Sequence, residues 1–171
     1  MRLLAFLVTA VSVCAQNPLT QAVTNSYNRA RQNLIAAADV MPDADYAYKL
    51  TPAQRTFGEW IQHTAMGNYS FCAAIKGEQP PDEMKMLSSE TGKAELQGAL
   101  KASFDYCDAA LKNTDDKKAL TQVTIGGRQT YPVNGMIGLI GSLNEHYGNI
   151  VGYLRTKGIT PPSSAHTNSK K

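Results

Sequence analysis

Four stretches of this chain repeat apolar residues at steps of three and four. That spacing places them on one stripe of a 3.6-residue helix and does not suit a half-buried strand. In the first stretch Leu19, Val23, Tyr27, Ala30, Leu34, Ala38 and Met41 share a face, and Pro42 ends the helix. The second opens at Leu50-Thr51-Pro52, with Thr51 as N-cap and Pro52 in the first helical position. It carries Phe57, Trp60, Ile61, Phe71, Cys72 and Ile75 on one side and stops at Gly77 and the Pro80-Pro81 pair. The third starts at Ser89-Glu90, repeats Leu96, Leu100, Phe104, Cys107 and Leu111, and ends near Asn113. The fourth runs from Pro132 to about Lys157, with Met136, Leu139, Ile140, Leu143, Tyr147, Ile150 and Leu154 inward and Gly158 as its cap.

Helices with one apolar face bury it against one another, so the expected fold class is all-α, a four-helix bundle. Before the last helix, Val123, Ile125 and Tyr131 surround Gly126-Gly127, which suits a short hairpin or an irregular loop. The glycine pair lacks the spacing of a phosphate loop. At 171 residues and 43% hydrophobic, the chain buries one core and makes two domains improbable on size. The long connection between the second and third helices is the one expected to cross the bundle.

The N-terminus reads as a targeting segment. Met1-Arg2 supplies a positive start, and residues 3–15 are a nearly unbroken apolar run ending in Val13-Cys14-Ala15. Such a run is too short for a membrane span, which needs about 20 residues. Cleavage after Ala15 leaves Gln16 first, so the expected organisation is a signal peptide over 1–15, the bundle over 16–164 and a disordered polar tail over 165–171. Cys14 leaves a lipidated N-terminus as the alternative, although Val13 stands where a small residue normally precedes a lipidated cysteine. The expected location is the periplasm or outside the cell, without stable membrane insertion.

Cleavage removes Cys14 and leaves Cys72 and Cys107, an even count for an oxidising compartment, so a disulfide between them is one reading. The other is a pair of small buried hydrophobes. The formal charge is +3, but the cationic residues are dispersed and two of them, Lys170 and Lys171, sit on the tail. Nucleic-acid binders concentrate such residues on one face, so no nucleic-acid partner is expected.

Histidine chemistry rests on His63 and His146, since His166 belongs to the polar tail. At about 100° per residue, His63 projects roughly 60° from Trp60 and His146 roughly 60° from Leu143. Both imidazoles can therefore reach a cleft between helices from the border of the core; the other reading is a pair of unrelated core-edge histidines, each hydrogen-bonded to backbone or solvent. Ser142 lies one turn before His146 on the same stripe, and Glu59 one turn before His63 is the better-placed carboxylate. Zincin and nucleophile-elbow signatures are absent.

Residues 51–63, Thr-Pro-Ala-Gln-Arg-Thr-Phe-Gly-Glu-Trp-Ile-Gln-His, resemble the start of the second helix of the DinB/YfiT-like superfamily, where a histidine ends the motif. Residues 144–158, Asn-Glu-His-Tyr-Gly-Asn-Ile-Val-Gly-Tyr-Leu-Arg-Thr-Lys-Gly, resemble the last long helix of an exported bacterial branch of the same family. The similarity runs from about Val23 to Ser164. It implies a four-helix bundle, often dimeric, in which three histidines hold a divalent metal, often nickel or zinc. His63 and His146 take two of the three places, and the third falls on Ser142. It further implies a metal-dependent hydrolase or thiol transferase acting on a small molecule, here with an incomplete histidine triad. The alternative is a non-catalytic binding or stress-associated bundle that has lost the metal site.

Overall fold

The computed structural model describes residues 17–87 and 92–168, with the side chains of 166–168 left undescribed. The proposed signal peptide therefore lies outside the described residues, as does the proposed start of the third helix at Ser89-Glu90. The long helices are α1 (Pro18–Val40), α2 (Phe57–Lys76), α4 (Lys93–Lys112) and α6 (Pro132–Thr156). Short helices α3 (Glu83–Met86), α5 (Asp116–Ala119) and α7 (Pro162–Asn168) occupy connections and the C-terminal segment. The helix α7 extends into the segment that the sequence marks as disordered from residue 165. No helix among the described residues is long and apolar enough to cross a membrane.

One helix start differs from the sequence reading. The second helix begins at Phe57 rather than at Pro52, because Thr56 and Glu59 form a reciprocal capping box. The Thr56 hydroxyl accepts from the Glu59 amide at 3.0 Å, and the Glu59 carboxylate accepts from the Thr56 amide at 2.6 Å. Thr51 and Pro52 lie in turns upstream. The Gly126-Gly127 segment is a hairpin: β1 (Val123–Ile125) pairs antiparallel with β2 (Arg128–Thr130), Ile125 opposite Arg128. Both glycines have positive φ, 56° and 79°, the conformation a two-residue primed turn needs.

The long helices form a ring in which α2 packs on α4 and α6, and α1 packs on α6 and α4. Consecutive helices α1 and α2 therefore stand on a diagonal. The crossing connection is residues 41–56, and the equally long second connection, residues 77–92, joins neighbours instead. Tyr46 anchors that crossing by donating its hydroxyl to the Ala38 carbonyl at 2.7 Å and packing edge-on to Phe57. The buried side chains of Tyr27, Leu34, Ile61, Phe104, Met136, Leu139 and Ile150 fill the centre. Cys72 on α2 and Cys107 on α4 are joined in a disulfide, with Cα atoms 5.2 Å apart.

The interface between α2 and α6 is unusually close, and glycines make it so. A Cβ at Gly135 would stand 2.9 Å from the Phe71 carbonyl and 3.0 Å from the Ile75 amide, both backbone atoms. Gly135→Ala gains about 1 kcal/mol of helix propensity. Overpacking against backbone costs about 1–3 kcal/mol and has no rotamer to relieve it. The net expectation is a loss of up to about 2 kcal/mol and a lower melting temperature; a raised value in thermal unfolding would mean that the helices are free to separate there.

Candidate functional site

The close approach of α2 and α6 sets one wall of each helix against the other. On α2, Trp60, His63, Thr64 and Gly67 follow at steps of three and four; on α6, Gly138, Ser142 and His146 do the same. The structure brings His63 and His146 together, their ring centroids 4.9 Å apart and their planes at 46°. Trp60 stands over both, 5.4 Å from His146 and 6.1 Å from His63. Arg55, from the turn before α2, places its guanidinium 5.1 Å from the Trp60 ring. The resulting cleft has a volume of about 500 Å³. Met66, Phe71 and Met84 supply its apolar lining, and Ser142 and Glu145 its α6 edge.

The hydrogen bonds fix the state of His146, which is only 4% exposed. Thr64 donates its one hydroxyl proton to the Trp60 carbonyl at 2.7 Å, the usual back-bond of a buried helical threonine. Its oxygen, 3.2 Å from His146 Nδ1, must then accept from that nitrogen. Nδ1 carries the proton, and Nε2 presents a lone pair. Ser142 Oγ lies 3.4 Å from Nε2, and its hydroxyl is the group able to donate there. Gly67 faces this contact, where a Cβ would stand at an ordinary van der Waals distance of 3.4 Å from Ser142 Oγ.

Burial pushes the His146 pKa down to about 4, and the neighbouring His63 and Arg55 push the same way. His63 is also lowered, first by burial and then by Arg55, while Glu145 opposes the shift. Both rings are neutral at neutral pH. The folded pKa of His146 lies below its unfolded value, so the unfolded chain binds the extra proton. Stability is then full above about pH 6.5 and is lost as pH falls toward 4, by about 2–3 kcal/mol from this residue. His146→Gln is expected to flatten that part of a stability-against-pH curve, and an unchanged slope between pH 6.5 and 4 would assign the loss elsewhere.

Two placements depart from the sequence reading. Glu59 does not line this cleft: its carboxylate is held by the Thr56 amide in the capping box, and it borders a neighbouring depression that shares His63. The carboxylate at the cleft is Glu145, whose one-residue offset from His146 turns it to the rim rather than away from it. Sequence reasoning also missed Arg55 and Thr64. A threonine on the apolar stripe of α2 is the only trace of the latter, whereas the position of Arg55 depends on the bend before the helix. Trp60 donates its indole N–H to the Tyr153 hydroxyl at 3.3 Å, and Tyr153 donates in turn to the Arg55 carbonyl, which ties that bend to α6.

The donor set does not complete a divalent-metal site. Among the described residues no group of three His, Cys, Asp or Glu side chains is placed to hold one ion. The third position is a neutral serine hydroxyl. Moreover, the Arg55 charge that disfavours a proton on both imidazoles disfavours a dication in the same place. A larger cavity of about 680 Å³ lies at the far end of α4 beside the hairpin. Its Lys76 is engaged with Glu78, and its Lys118 with the Asn113 carbonyl, and it holds no histidine.

The bundle has counterparts among solved structures. A DinB-like protein from Bacillus cereus ATCC 10987 superposes with a TM-score of 0.67 at 20% identity, covering 83% of this chain and 95% of the other. A mycothiol-dependent maleylpyruvate isomerase superposes with a TM-score of 0.62 at 14% identity, covering 77% of this chain and 60% of the isomerase. Identities this low show a shared fold and leave the chemistry to the residues of each cleft. No curated protein matches the chain. The profile of the DinB superfamily matches residues 26–148, a span that holds both cleft helices as far as His146. With that match over most of its length, the chain is a member of the DinB superfamily.

Proposed function

We propose that this protein is an exported member of the superfamily whose α2–α6 cleft takes a small molecule with an apolar body and a carboxylate or carbonyl end, without a resident metal. One observation carries the reading: two neutral imidazoles and a hydroxyl stand beside a guanidinium in a cleft whose apolar wall is Met66, Phe71 and Met84, with Glu145 at the rim. An anion gains from Arg55, and a carbonyl oxygen gains from any N–H or O–H donor there. Trp60, Met66, Phe71 and Met84 suit an aromatic or branched aliphatic body. Export is supported by the apolar N-terminal run and by the Cys72–Cys107 bridge, which persists in an oxidising compartment.

The single tryptophan of the chain is in this cleft and reports on it directly. Titration with 4-phenylbutyrate is expected to change Trp60 fluorescence saturably, with the matching amide binding at least about tenfold more weakly. Arg55→Ala should remove the preference for the acid. Equal affinity for acid and amide in the wild type, or no saturable change with either, would overturn the reading. Mass spectrometry of the native protein tests export, where an N-terminus near Gln16 is expected and an intact Met1 would refute it.

A further inference from the structure

In the cleft, three side chains on two helices form a directed chain of hydrogen bonds. Thr64 receives the Nδ1 proton of His146, and His146 presents its Nε2 lone pair to the Ser142 hydroxyl. A hydroxyl facing a base, with the base oriented by a third group, is the arrangement that activates a serine for attack. We propose that Ser142 is an acyl-accepting nucleophile, with His146 as its general base and Thr64 as the residue that positions His146, and that the substrate is a carboxylic ester with an apolar acyl group. This rests on the small-molecule reading of the same cleft, to which it adds a reaction.

The step balances without any further reagent. Ser142 Oγ bonds to the ester carbonyl carbon while its proton passes to His146 Nε2. The carbon–oxygen bond to the leaving group then breaks, and the alkoxide departs with that proton. Water repeats the sequence on the acyl-serine, giving a carboxylic acid and restoring Ser142. Oxygen charge develops on the carbonyl in a cleft that also holds Arg55 and His63, the donors able to meet it. The 3.4 Å Ser142–His146 separation is longer than a tight hydrogen bond, as is common before substrate tightens such a pair. Burial keeps His146 neutral, so its Nε2 is free to accept the Ser142 proton.

The test uses the oxidised full-length mature protein in the presence of EDTA. A fluorophosphonate probe forms a phosphorus–oxygen bond to an activated serine with loss of fluoride, and intact mass and peptide mapping locate the adduct. The expected result is one adduct on Ser142 and an initial burst with a p-nitrophenyl ester of 4-phenylbutyrate, both absent in Ser142→Ala. His146→Gln should slow labelling by about 100-fold or more. Thr64→Val should slow labelling while leaving 4-phenylbutyrate affinity unchanged, and Thr64→Ser should restore the rate. An adduct missing from Ser142, or equal ester hydrolysis by wild type and Ser142→Ala, overturns the nucleophile. If Trp60 still reports saturable binding of the acid in that event, the nucleophile alone falls; loss of both signals removes the small-molecule reading as well.

Discussion

Replacing both Cys72 and Cys107 by alanine is expected to destabilise the fold by about 3–4 kcal/mol. The bridge closes a loop with a sequence separation of 35, and the chain-entropy relation for a loop of that length gives a cost in this range. For a chain of this size that corresponds to a fall in melting temperature of about 8–14 °C. Both sulfurs are fully buried between α2 and α4, so a reductant reaches them only when those helices part. Adding dithiothreitol to the native protein should therefore act slowly at 25 °C and quickly near the melting transition. The bridge also bears on the cleft. It joins to α4 the same helix that carries His63 and Thr64, and so holds that helix in place behind its contact with α6. Thermal unfolding of the double variant with a loss below about 3 °C would show that packing alone holds α2, and would withdraw the structural argument for an oxidising location.

The reach of the sequence over this molecule follows from what each signal depends on. Helix existence depends on local periodicity, and the stripes through Tyr27, Ile61, Leu100 and Leu139 were enough to define the bundle. The hairpin was legible because Gly126-Gly127 can adopt two consecutive positive φ values at no steric cost. The start of α2 was not, because two capping signals compete within six residues. Thr51-Pro52 satisfies the proline rule, whereas Thr56 and Glu59 satisfy two backbone donors reciprocally and win. That same competition moved Glu59 from the cleft, since the cap holds its carboxylate toward the Thr56 amide and the neighbouring depression. Helical angle put His63 and His146 at the border of the core, and the family resemblance was needed to set them face to face. Arg55 and the direction of the Thr64 proton were not legible, because both depend on a carbonyl or a bend that no pattern of side chains encodes. The ring order of the helices was hidden for a related reason: connection length does not reveal a diagonal crossing.

Ser142→His is expected to turn the cleft into a zinc or nickel site, raising metal affinity by about 100-fold or more over the wild type. That is at least the upper end of the effect of altering a mere outer-shell partner of a metal ligand. The pieces other than the third ligand are present. Thr64 already fixes His146 with Nε2 unprotonated, the tautomer a metal requires, in the manner of an outer-shell acceptor. The His63 ring is 4.9 Å from it, and Gly67 faces position 142 without a side chain. What opposes binding is Arg55, whose charge already disfavours a proton on both rings. Arg55→Ala added to Ser142→His should therefore strengthen binding further, whereas Arg55→Ala alone should leave a two-imidazole site that loses its metal on dialysis. Elemental analysis after dialysis against zinc, followed by competition with a chelator of known affinity, measures all four proteins on one scale. Stoichiometric zinc in the wild type would mean that Ser142 or a solvent ligand completes the site despite Arg55, and would overturn the metal-free reading. Equal and negligible zinc in all four would mean instead that the α2–α6 spacing set by Gly135 and Gly138 holds the rings where no single ion can reach them.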